Sequence, residues 1–218
     1  MLNAIIYAGF SVIEVYSILF FIMTIARMNI NDYIKESTVG VIIVSICTYL
    51  FHESSHLSKI SPMLCLLLFL SILIFVFRLS TIHSTVITMV GYITCLIIQG
   101  VIIFVPTLFT SLTLSEIKGN DVLRYSFQTI SSVLIYLIAF KFRKKNIGFG
   151  FVPYSPSVKF KITKTNLNIV YLLIVTVLVL SSILEIGKMY IAIFMLIILF
   201  NFALFMGLRR ERGDVKFD

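Results

Sequence analysis

The string His52-Glu53-Ser54-Ser55-His56 is the first place where residue types and spacing could do chemistry. It fits H-E-x-x-H. On a helix, histidines at i and i+4 share a face, so the pair could hold a Zn²⁺ while the glutamate serves as base for an attacking water. A catalytic zinc takes a third protein ligand, and no third-ligand motif follows in a chain with three His in all. Ser58 and Lys59 come directly after Leu57, so the string also reads as a polar helix end with both imidazoles in water. His52 and His56 form a metal site only if the chain is a zinc peptidase of the membrane boundary. The main reading has no catalytic residue, no metal and no cofactor.

Glu14 is the second such place. It is an isolated acid deep inside a long apolar run, and a charge at mid-bilayer costs at least ~2.5 kcal/mol. Successive helical residues turn by about 100°, which puts Tyr7, Ser11, Glu14 and Ser17 on one face. That face should point at other helices. No basic residue lies in the central part of any expected span, so desolvation favours the protonated carboxyl. Such a group serves either as a ligand or proton site, as in a small transporter, or as glue between helices.

A third pattern is a stripe. Thr81, Ser84, Thr88, Gly91, Cys95 and Gln99 fall close together on the helical wheel. Small residues let helix backbones approach where lipid gives no hydrophobic drive for association. Gln99 differs, being a large amide with four hydrogen-bonding valences; it is the expected partner of Glu14. Pro106 should end or kink this helix. His83 and Cys95 lie about 18 Å apart on a straight helix, too far for a thiolate–imidazolium pair, so a cysteine peptidase is excluded.

The elements that position these groups follow from composition. The chain has 218 residues, 59% hydrophobic and 13% charged, against roughly 25% charged in a soluble domain. Too little polar surface remains to coat a globule in water. A span needs roughly 20 apolar residues, and the runs 3–26, 37–57, 61–79, 81–106, 123–141, 166–185 and 189–208 qualify. The expected fold is therefore all-α, a polytopic bundle of seven transmembrane helices over 1–208, with a basic cytoplasmic tail at 209–218. The count falls to six if the second run, which closes on His52, Glu53 and His56, is re-entrant.

Basic residues give the orientation. With the N-terminus outside, all 18 Lys and Arg except Lys59, Lys118, Arg124 and Lys188 fall on the inner side, as the positive-inside rule requires. The net charge of +8 is then a topology signal and a contact with anionic lipids, not a nucleic-acid footprint. Arg143, Lys144 and Lys145 belong to this inner surface, as do Lys159 and Lys161, which alternate with Val158, Phe160 and Ile162 in a short strand or surface strip. The same residues also read as a loop that only fixes topology. Cys47, Cys65 and Cys95 lie in or beside apolar runs, and no disulfide is expected.

Leu57 through Ile60-Ser61-Pro62, the third span ending Phe77-Arg78-Leu79, and Gly91-Tyr92 with Gln99 resemble the membrane sensing region of bacterial Agr-type peptide-pheromone receptor kinases. The turn Gly148-Phe149-Gly150-Phe151-Val152-Pro153 looks like uncharacterised multi-pass proteins related to them. The resemblance implies a bacterial plasma-membrane protein that senses a small peptide from outside. The kinase and ATP-binding domains of those receptors have no counterpart here, so signalling would need a partner protein or a homo-oligomer. Ser11, Glu14, Thr88, Gly91 and Gln99 are the candidate ligand or helix-packing residues. The expected function is a non-enzymatic, receptor-like module for a small peptide or apolar ligand.

Thiol labelling of cysteines introduced at positions 55, 118, 150 and 214 should read outside, outside, inside, inside. An inside signal at 55 removes the second span.

Overall fold

The computed structural model describes residues 2–53, 57–109 and 114–149. The expected sixth and seventh spans, Lys159, Lys161, the C-terminal tail and His56 lie outside the described residues. Within them the chain is helical. The elements are α1 (Leu2–Ile25), a 3-10 turn (Ile30–Tyr33), α2 (Ile34–Glu53), α3 (Leu57–Phe75), α4 (Thr81–Phe109), α5 (Leu114–Gly119) and α6 (Asp121–Lys144). Four stretches are long and apolar enough to cross a membrane: Ile6–Ile25, Ile30–Phe51, His83–Thr107 and Asp121–Lys144; Ser61–Phe75 is a shorter apolar helix. Pro106 does not end α4, which continues to Phe109.

Side-chain pairs give the helix directions. Ser37 of α2 meets Met23 of α1, and Thr48 meets Ser11, so α2 runs antiparallel along most of α1. Gly40 faces Ile72, and Tyr33 packs on Phe77, which sets α3 antiparallel to α2. Gln99 meets Glu14 while Gly91 sits on Ile22, so α4 is antiparallel to α1. α6 runs parallel to α1: Phe10 stacks on Tyr125 and Phe20 on Tyr136. Directions therefore alternate from α1 through α4 and into α6. One end of the bundle collects Arg27, Lys35, Arg78, Lys141, Arg143, Lys144 and Lys145. We call it the basic end.

The polarity of the surface is inverted relative to a protein in water. Ser11, Ser17, Ser84, Thr88, Ser131 and Ser132 are buried, while Ile42, Ile46 and Leu50 of α2 and Val133, Leu137 and Phe140 of α6 are exposed. Helices satisfy their own backbone polar groups, so such faces suit hydrocarbon. The described architecture is compatible with an integral membrane protein.

Two glycines are fixed by contact. A Cβ on Gly91 would lie 2.7 Å from Ile22 Cγ1 and 3.2 Å from its Cα, so the bare backbone lets α4 close on α1. At the basic end, α1 stops at Ile25 and Arg27 takes a left-handed φ of 53°. The chain leaving α6 turns at Asn146, with φ 51°, and folds back so that the Phe149 N–H donates to the Ile25 carbonyl at 2.8 Å. That bond satisfies a carbonyl at the end of α1 that no helical N–H can reach. A Cβ on Gly148 would lie 2.6 Å from the same oxygen. Arg143 also donates to Asn29 Oδ1 here, so α1 and α6 are fastened at this end.

Gly148→Ala must push backbone aside and should lose about 1–3 kcal/mol. Gly9→Ala, with nothing within 4 Å of the new methyl, should lose nothing and can gain up to ~1 kcal/mol from helix propensity. Thermal denaturation in detergent compares the two.

Candidate functional site

The polar face of α1 is directed into the bundle. Tyr7 packs edge-on against Tyr49 of α2, and the Ser11 and Thr48 hydroxyls are hydrogen-bonded at 2.8 Å. Ser17 turns back to donate to the Glu14 carbonyl on its own helix. Glu14 is different, since both its carboxyl oxygens reach other helices. Gln99 Nε2 of α4 donates to Oε1 at 2.5 Å, and Gln128 Nε2 of α6 donates to Oε2 at 2.6 Å. One side chain thus joins three helices, and each oxygen accepts from a different one.

α6 brings its share by helical spacing. Asn120 caps it, accepting from Val122 and Leu123 N–H groups. From there Arg124, Gln128, Ser131 and Ser132, then Ile135 and Ala139, recur at intervals of three and four along the side that faces α1. Ser131, Ser132, Ile135 and Ala139 are buried. Arg124 pairs with Asp121 at 2.9 Å and donates to the Tyr125 hydroxyl at 3.1 Å. Its guanidinium also lies 4.9 Å from the centre of the Tyr125 ring and 5.7 Å from that of Tyr7. The aromatic faces and the aspartate together stabilise a charge near the helix start.

These groups surround a cavity of about 290 Å³ lined by Tyr7, Glu14, Gln99, Ile103, Ile117, Arg124, Phe127, Gln128 and Ser131. Ile117, from the short α5, is buried. The cavity lies in the half of the bundle away from the basic end. Toward the basic end the packing closes, with Ser84, Thr88 and Cys95 fully buried and Gly91 against Ile22. The cavity therefore offers a carboxyl, two amides, a phenol, a guanidinium, a hydroxyl and an apolar wall, with a packed core toward the basic end.

Of the residues singled out in the sequence, the structure brings Tyr7, Glu14 and Gln99 together in this cavity. Ser11 is engaged with α2, and Gly91 serves the α4–α1 contact. Thr88 is buried, and its hydroxyl has no hydrogen-bond partner among the described residues. Gln128, Phe127, Ser131, Ile103 and Ile117 were not anticipated. Gln128 could have been found, because it lies one turn from Arg124 on the buried face of α6; nothing in the sequence marks Ile117. Arg143, Lys144 and Lys145 are exposed at the basic end. Glu53 closes α2, and among the described residues no three His, Cys, Asp or Glu side chains gather as a metal site would require.

The chain matches no family model, and no curated protein or solved structure matches it.

The hydrogen bonds order the Glu14 substitutions. Glu14→Gln keeps shape and can still bond both amides after an amide turns over, so its stability loss should be small. Glu14→Leu removes two interhelical bonds at about 0.6–1.7 kcal/mol each, and should lose roughly 1–3 kcal/mol. Glu14→Lys buries a cation with no counter-charge beside it, even after both amides turn over, and should be the worst. Gln99→Leu and Gln128→Leu should each cost about one bond. Melting temperatures in detergent, with expression level as control, test this order.

Proposed function

We propose that this chain is a non-enzymatic, receptor-like module of a bacterial plasma membrane, which admits a small peptide or apolar ligand to the Glu14 cavity and acts through a partner at its basic end. One observation carries the reading. The cavity is built from α1, α4, α5 and α6 around a polar centre shared by three of them, and toward the basic end the helices pack closely. Convergent polar groups beside an apolar wall are what ligand binding needs. The resemblance of the third and fourth helices to the sensing region of Agr-type peptide receptors supports the same class.

On this reading the cavity opens outward and the N-terminus is outside, with seven spans in all. The basic end is cytoplasmic, because Lys and Arg are retained on that side, and Arg143, Lys144 and Lys145 meet anionic lipid headgroups there. The same surface takes the signalling partner or a second copy of the chain. Glu14 facing a cavity also favours a second reading, a small proton- or cation-coupled transporter.

Proteoliposomes holding a pH-sensitive dye separate the two. The receptor reading expects no proton or monovalent-cation flux that differs between wild type and Glu14→Gln. It also expects a photo-crosslinker at Lys144 to trap a discrete protein in the native membrane. A flux abolished by Glu14→Gln establishes the transporter and overturns the receptor.

A further inference from the structure

Resting on that reading, we infer that the cavity takes its ligand by a protonated amine, seated on the Glu14 carboxyl, with the ligand's apolar body against Ile103, Ile117 and Phe127. The supply of donors and acceptors in the cavity decides this. Gln99 and Gln128 each direct an N–H at Glu14, one to each oxygen. With an ammonium beside it to offset desolvation, Glu14 is a carboxylate with about four acceptor sites, so these two bonds leave others on a side chain that lines the cavity. An amide whose nitrogen is committed in this way presents its carbonyl oxygen as a further acceptor. Around Glu14 itself acceptors therefore outnumber donors.

The charge pattern points the same way. Arg124, the basic residue of the lining, is paired with Asp121 at 2.9 Å and lies over two tyrosine rings. It sits one helical turn, about 5–6 Å along α6, from Gln128. Among the described residues no cation is paired with Glu14; its hydrogen-bond donors are neutral amides. An ammonium brings three donors and no acceptor. It matches a carboxyl and two amide carbonyls, and it neutralises an acid that has been taken out of water. An anionic ligand would meet Glu14, and a neutral one would leave acceptors unused. The volume, about 290 Å³, fits a small molecule or the terminal residue of a longer one. Gln99 and Gln128 are positioning residues, holding the carboxyl between α4 and α6.

The test uses the full chain in nanodiscs and three water-soluble probes of one shape: phenethylammonium, phenethyl alcohol and 3-phenylpropanoate. Empty nanodiscs correct for partitioning. Calorimetry should show phenethylammonium binding at least tenfold tighter than the alcohol. Glu14→Gln should abolish that preference while leaving weak alcohol binding in place. Ile103→Trp, which keeps Glu14 but fills the apolar wall, should weaken phenethylammonium at least tenfold, and it serves if Glu14→Gln fails to fold. Preference for the carboxylate, or an ammonium preference that survives Glu14→Gln, overturns the amine assignment but leaves the cavity as a ligand site. No binding of any probe to wild type overturns both this inference and the cavity's role in the receptor reading.

Discussion

A carboxyl group placed among apolar helices has to find its hydrogen bonds inside the protein, and much of this structure follows from how Glu14 finds them. In hydrocarbon an unsatisfied polar group costs several kcal/mol, so Glu14 cannot face outward from α1. It turns inward and is met by one glutamine from α4 and another from α6. These are the two helices that lie against α1 on that side. The interaction fixes their rotation about their own axes as well as their register, because a turn of 100° in any of the three helices would carry its group out of reach. Apolar packing alone is a weak determinant of register where lipid is as apolar as the helix surface.

The parallel pair α1 and α6 shows what this fastening achieves. Gln128 meets Glu14 across 114 positions of chain, and Arg143 meets Asn29 across the same 114. The two contacts therefore hold fifteen residues of α6, about 22 Å of rise, against α1 and the turn that follows it. Between the ties lie the stacked rings of Phe20 and Tyr136 and the buried Ile135 and Ala139. At the basic end the turn through Gly148 and Phe149 closes on the last carbonyl of α1. The pair is thus a rod pinned at both ends. α4 lies against it through Gly91, which sits on Ile22.

Helical periodicity made part of this legible in the sequence. The polar face of α1 and the small-residue stripe of α4 both follow from a turn of 100° per residue, and their best hydrogen-bonding members, Glu14 and Gln99, meet. The first five apolar runs fall on α1, α2, α3, α4 and α6, with ends that shift by a few residues, and all of these but α3 are long and apolar enough to cross a membrane. α2 starts at Ile34, before its apolar core begins, because its first turn extends toward the basic end, where Lys35 and Glu36 are solvated. What escaped the sequence is tertiary. Gln128 resembled any polar residue near a helix start until α6 was laid parallel to α1, and that adjacency joins residues more than a hundred positions apart. Ile117 belongs to a six-residue helix, too short for periodicity to reveal. Arg124 read only as an outer-side charge at the start of its run, but it lies in the first turn of α6 and enters the cavity wall.

The two ties also bear on how occupancy of the cavity could be felt at the other end. A ligand shifts an equilibrium only by its differential affinity for two states. On the proposed reading the differential element is the Gln128 bond, which a group seated on the remaining acceptor sites of Glu14 would weaken by drawing on the same carboxyl. Loss of the Gln128 bond frees one end of α6 by an amount comparable to one interhelical bond, about 0.6–1.7 kcal/mol, which changes a population ratio roughly three- to eighteen-fold. The Asn29–Arg143 bond and the Gly148 turn then act as the pivot, and the apolar exposed face of α6, with Val133, Leu137 and Phe140, meets no polar barrier to tilting in lipid. The residues displaced most by such a tilt are those farthest from the pivot, at Arg124 and the adjoining α5. At the pivot itself Arg143, Lys144 and Lys145 would turn more than they translate. A partner reading this motion would therefore have to sense the angle of the basic cluster, which favours recognition through several charges at once over a single contact.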